Sequence, residues 1–166
     1  MNPTCLGAYY CSKAHIVQDW PAHKTYCKRV SDAGTNIFDA ILFGVNETKP
    51  RLIKLPWYGR WHNLDMEPWF KGRDSFIRTY YVQTFGANGP VLHHTLAVCF
   101  DDNFMINGSQ INRCIQNVTF GNAGHPWAGN ILALRVEGFR SDWYSDTVME
   151  EDLAPLARYF EDSYRK

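Results

Sequence analysis

Residues 5–27 read Cys5-Leu-Gly-Ala-Tyr-Tyr-Cys11-Ser-Lys-Ala-His15-Ile-Val-Gln-Asp-Trp20-Pro-Ala-His23-Lys-Thr-Tyr-Cys27. Five potential metal ligands fall within 23 positions, whereas residues 28–166 hold only Cys99, Cys114, His62, His93, His94 and His125. The pairs Cys11/His15 and His23/Cys27 each have i, i+4 spacing, so on a helix both members of a pair project from one face. Thiolate and imidazole are the ligands that suit zinc in a tetrahedral structural site. Ser12 can cap a first helix, and Asp19 a second one that begins near Pro21. Two such short helices bury little by themselves. Metal binding, worth about 10–16 kcal/mol in zinc-finger peptides, would fold them.

Tyr10-Cys11-Ser12, Gln18-Asp19-Trp20-Pro21, His23-Lys24 and Cys27 resemble the second half of a MYND-type zinc finger. In that family two zinc ions are held in a cross-brace by seven cysteines and one histidine. The resemblance implies that Cys5 matches the fourth ligand, Cys11 the fifth, His15 the sixth, His23 the seventh and Cys27 the eighth. The first two ligands would precede Met1, the third falls at Asn2, and His15 stands where the family usually has cysteine. The finger is therefore read as N-terminally truncated, with one zinc expected rather than two. Three states stay open: a damaged finger, one zinc on Cys11, His15, His23 and Cys27, or a site of Cys5, His23 and Cys27 completed by water or a partner's ligand. The open position is not read as catalytic, because the segment shows neither a shaped cavity nor a general base. MYND fingers bind short proline-containing peptides, which by resemblance would meet Tyr9, Tyr10, Gln18 and Trp20. Trp20 could equally pack between the two helices.

Beyond the finger, Lys28–Asn36 is polar, contains Gly34 and reads as a short linker. This places a partial finger at 1–30 and a second domain at 37–166. Phe38–Val45 and Arg51–Trp57 flank the turn Asn46–Pro50 and read as a hairpin. Asn63–Lys71 reads as a short helix, and Phe76–Phe85 as a strand before the turn Gly86–Pro90. Thr95–Phe100 and Asn130–Val136 have the apolar runs of buried strands. Asn107–Val118 is amphipathic at helical spacing. Thr147–Tyr164 is the clearest helix, with Asp146 or Thr147 as cap, Glu150 and Glu151 in its first turn, and Pro155 expected to bend or break it. The fold class is α+β: a small zinc-dependent helical finger half, then an α+β domain with an antiparallel or mixed sheet and a C-terminal helix.

Composition narrows the function. Seventeen basic residues balance seventeen acidic ones with no basic stripe, so charge gives nucleic-acid binding no support. Six Trp, nine Tyr and ten Phe supply a ring-rich core or a recognition surface. No run of about 18 apolar residues reads as a membrane span. The N-terminus lacks a secretory pattern, which points to a cytoplasmic or nuclear protein with reduced thiols. The matches at Asn46, Asn107 and Asn117 are then chance rather than glycan sites, and five cysteines fit poorly with a disulfide framework.

The leading reading is a zinc-binding protein-interaction protein, not an enzyme. One rival is an enzyme whose site lies in the second domain. His93, His94, Asp101 and Asp102 are the only constellation on offer, and adjacent strand histidines point to opposite faces. Cys99 and Cys114 read as buried small hydrophobes, and His125 as a satisfied loop histidine. No phosphate loop, G-x-S-x-G or H-E-x-x-H motif occurs, and no motif of SET-domain methyltransferases, which also carry MYND fingers. Ala40–Phe43 with Lys49–Ile53, and Gly124–Trp127 with Ile131-Leu132, resemble regions that follow the finger in fungal MYND-containing proteins. A second rival is a structural remnant whose finger binds nothing.

Overall fold

The computed structural model describes residues 24–70, 76–137 and 143–163. A helix α1 (24–33) leads into strands β1 (Ile37–Phe43), β2 (Arg51–Tyr58), β3 (Asn63–Leu64), β4 (Ile77–Thr84) and β5 (Val91–Asp101). Helix α2 (Arg113–Val118), strands β6 (Ile131–Val136) and β7 (Tyr144–Ser145), and helix α3 (Met149–Asp162) follow. The strands make one curled sheet in the order β3-β2-β1-β6-β5-β4, with β7 also on β6. Every strand pairing among the described residues is antiparallel. The α+β class holds, and the sheet is the antiparallel of the two kinds expected.

Side chains alternate faces along a strand, so a strand apolar at every position needs cover on both sides. Strand β6 is such a strand, buried at all six positions. On one face Ile41, Phe43, Leu96, Val98, Phe100 and Ile131 pack with Trp127 and with Cys114, Ile115, Leu156 and Phe160 of the two helices. On the other, Leu42, Ile53, Leu55, Cys99, Leu132 and Leu134 are covered by Leu64, Met66, Trp69 and Phe70. The segment expected to be a helix over Asn63–Lys71 does something else. Its start pairs with β2 as β3, and Met66–Phe70 forms one hydrogen-bonded turn that lids the second core.

The hairpin of β1 and β2 has the expected strands, in register from Ile37 opposite Pro56 to Leu42 opposite Arg51. Strand β5 begins earlier than its apolar run. Thr84 pairs with Val91 and Val82 with Leu96, so His93 and His94 lie in an irregular, exposed stretch between the two registers. The helix expected over Asn107–Val118 is halved. Gly108 takes a positive φ of 77°, Asn107 accepts from the backbone and hydroxyl of Ser109, and Asn112 caps the helix that remains. Asn112 is fully buried: it accepts from Ile115 N–H at 2.8 Å and donates to the carbonyls of Phe43 and Gly129 at 2.9 and 2.8 Å.

Helix α3 runs unbroken through Pro155, where a bend or break was expected. Neither expected cap serves it. Asp146 accepts the Asp39 N–H at 2.7 Å and Thr147 donates its hydroxyl to the Asp39 carbonyl at 2.8 Å, so both are used by β1. Asp152 instead accepts the Val148 N–H at 2.8 Å. The polar stretch read as a linker is also different: residues 28–33 continue α1, and Gly34, with φ 62°, ends it.

Candidate metal centre and its attachment

Of the expected zinc ligands, Cys27 lies among the described residues; Cys5, Cys11, His15 and His23 lie outside them, as do Tyr9, Tyr10, Gln18 and Trp20. Cys27 is half-buried on α1. The donor set of three thiols and two imidazoles suits zinc chemically. A tetrahedral site takes four of them.

What holds Cys27 in place is clear from its neighbours. Tyr26 and Val30, four residues apart on one helical face, are only 6% and 3% exposed. The Tyr26 hydroxyl donates to the Lys54 carbonyl on β2, and its ring meets Trp69 edge-on at 5.3 Å. Burial pushes the Tyr26 phenol far above its usual range, partly offset by Arg51, so it remains a donor. Arg29 donates to Asp65 at 2.9 and 3.2 Å and to Glu67 at 2.9 Å. These two carboxylates hold the guanidinium more firmly protonated than usual, Glu67 first. The sequence carried a signal for this in the i, i+4 spacing of Tyr26 and Val30 next to Cys27, which the ligand pattern overshadowed.

The rival site in the second domain is not assembled as the sequence suggested. His93 and His94 stand near the start of β5 and Asp101 at its end, roughly 25 Å away at about 3.3 Å per residue. Asp101 organises a turn, accepting from the backbones of Phe76 and Asn103 at 3.0 Å and from Asn107 at 2.7 Å. A cleft of about 300 Å³ does lie beside His93 and His94, bordered by Arg135, Glu151 and Asp152. Its charged groups engage one another: Arg135 bonds Asp152 at 2.8 and 3.1 Å and Glu151 at 2.6 Å. Asp152 leads in holding the guanidinium protonated. Among the described residues, no three His, Cys, Asp or Glu side chains are grouped to hold a metal.

Cys99 and Cys114 are buried free thiols, as expected for small hydrophobes. Burial pushes Cys99 up to about 11, against a lowering contact from Thr79. Cys114 is pushed up to about 12 by burial and then by Glu47. His125 packs edge-on against Phe104 and Trp127 at 5.2 and 5.3 Å, and burial lowers its pKa. One cluster was missed altogether. His62, with φ 47°, sits among Trp57, Trp143 and Phe38 at 4.3, 4.7 and 5.1 Å, and its Nδ1 accepts the Tyr144 N–H at 3.2 Å. The run Trp57-Tyr58-Gly59-Arg60-Trp61-His62 announces the rings, but not the distant Trp143 that completes them.

Comparison with known proteins bears on the segment that ends at Cys27. Residues 3–27 match the family model of the MYND finger. The matched span contains all five expected ligands and ends on Cys27. MYND fingers are zinc-dependent protein-interaction modules, so the match supports zinc as the metal and a protein as the partner. It covers 25 of the 166 residues and leaves the sheet and its helices unassigned. No curated protein and no solved structure matches the chain. No helix among the described residues is long and apolar enough to cross a membrane.

Proposed function

We propose that this chain binds one zinc ion through a set drawn from Cys5, Cys11, His15, His23 and Cys27, and uses that finger to recognise a short proline-containing peptide of a partner protein. The match of residues 3–27 to the MYND finger carries the reading. Five thiol and imidazole donors fall inside it, enough for one tetrahedral site. Tyr10, Gln18 and Trp20 supply the contact surface. An indole face suits a proline ring, and PPII segments dock in aromatic-lined grooves elsewhere. The sheet acts as the platform on which the finger stands. The role is binding rather than catalysis, in the cytoplasm or nucleus, with neither membrane nor nucleic acid as the target.

The test has two stages. Elemental analysis of the purified chain, before and after a chelator, should find about one zinc per chain that the chelator removes. A fluorescence titration with proline-containing peptides should then find binding that Trp20→Ala abolishes while zinc is retained. Absence of zinc would reject the metal reading. Peptide binding unchanged by Trp20→Ala would reject the proposed surface.

A further inference from the structure

We propose that zinc ligation in the finger and docking of α1 on the sheet domain are coupled, through the face of α1 that carries Tyr26, Arg29 and Val30. The inference rests on the zinc reading above. It begins with continuity. Residues 24–33 are helical without interruption, so Cys27 and the docked residues belong to one rigid element. With 3.6 residues per turn, Cys27 emerges about 100° from Tyr26 and about 60° from Val30, on the flank of the docked face. A shift of the helix against the sheet therefore moves the ligand sulfur with it.

The docking surface reaches the centre of the body. Tyr26 bonds the β2 backbone at Lys54 and abuts Trp69, while Arg29 grips Asp65 and Glu67. Trp69 lies in the lid over the second core, with the Arg51 guanidinium 5.7 Å from its ring centre. Its carbonyl accepts from the Asn130 amide at 3.0 Å, and the oxygen of that amide accepts the Val45 N–H at 2.9 Å. Helix, lid and the ends of β1 and β6 are thus bonded in series. A ligand already positioned loses less freedom when zinc binds, and coupling between two equilibria is reciprocal. Zinc must then steady the lid, and the lid must raise zinc affinity. An independent finger on a flexible tether would show neither effect.

The experiment uses the full chain under reducing conditions. Zinc affinity is read by competition with a chromophoric chelator, and amide exchange is followed in β2 and residues 64–70. Removing zinc should speed exchange in those segments. Tyr26→Ala should weaken zinc binding about tenfold or more, within the range usual for coupled sites. Leu156→Ala, on the opposite face of the sheet, is the control and should leave zinc affinity within about twofold. Arg29→Glu repeats the comparison with a surface change if Tyr26→Ala fails to fold. Exchange indifferent to zinc, or docking variants that bind zinc as the parent does, would overturn the coupling alone. A chain that takes up no zinc would overturn the zinc reading and the coupling together.

Discussion

Replacing Arg135 with Met should cost this protein about 3–5 kcal/mol, the range for breaking a buried ion pair. Arg135 stands near the end of β6 and is 9% exposed; its partner Asp152 is 5% exposed. Met keeps most of the apolar stem and removes the guanidinium. Asp152 then remains buried with the Val148 N–H as a donor but without its cation. The second partner, Glu151, has a side chain 65% exposed and can turn to water, so it adds little. For a domain of this size, about 3–5 °C of melting temperature accompanies each kcal/mol, so the midpoint should fall by roughly 10–20 °C. Urea unfolding followed by far-UV circular dichroism and tryptophan fluorescence would measure the loss. Arg135→Met combined with Asp152→Asn should recover about 2 kcal/mol, because a neutral amide is cheaper to bury and can still accept from Val148. Added salt should change the parent's advantage little, since buried pairs are weakly screened. A loss below about 1 kcal/mol would place this pair with ordinary surface bridges and refute the claim that its burial governs its worth.

Two further outcomes follow from groups partly or wholly withdrawn from water. Burial lowers the pKa of His125, so the unfolded chain binds the extra proton first, near pH 6.5. Its contribution is therefore full above about pH 6.5 and is lost as pH falls through the folded-state value. Unfolding of the chelated protein across this window should show a slope that His125→Asn reduces; an unchanged slope would assign it to other groups. A thiol reagent applied to reduced, zinc-free native protein should modify at most three of the five cysteines, namely Cys5, Cys11 and Cys27. Cys99 and Cys114, with thiols pushed up to about 11 and 12, should react on unfolding. Early labelling of either would contradict their burial.

The MYND-type segment and the main strands could be read without a structure because their signals are local. Cys11/His15 and His23/Cys27 announce themselves by spacing, and the family match spans the same residues. Asn130–Val136 and Phe38–Val45 are apolar runs whose type does not depend on what pairs with them, and both appear as strands within one or two residues. The amphipathic face of Thr147–Tyr164 likewise survives as α3.

Failures occur where a distant group competes for the same atoms. Asp146 and Thr147 have the chemistry of helix caps, yet Asp39, more than a hundred positions earlier, takes them. Asn107–Val118 has one helical periodicity, but Asn112 is drawn to the carbonyls of Phe43 and Gly129, and the helix starts only after it. Arg135 looks like an interruption in an apolar strand until α3 brings Asp152 against it. Lys28–Asn36 has a linker's polarity, but the burial of Val30 and the reach of Arg29 to Asp65 depend on where β2 and the lid stand. Sequence by itself determined the resemblance to a MYND finger and the strands that must be buried, because residue type and short-range spacing decide both. Tertiary structure alone decided how the finger's last helix is held, because a polar residue's partner is set by the fold and not by its neighbours in the chain.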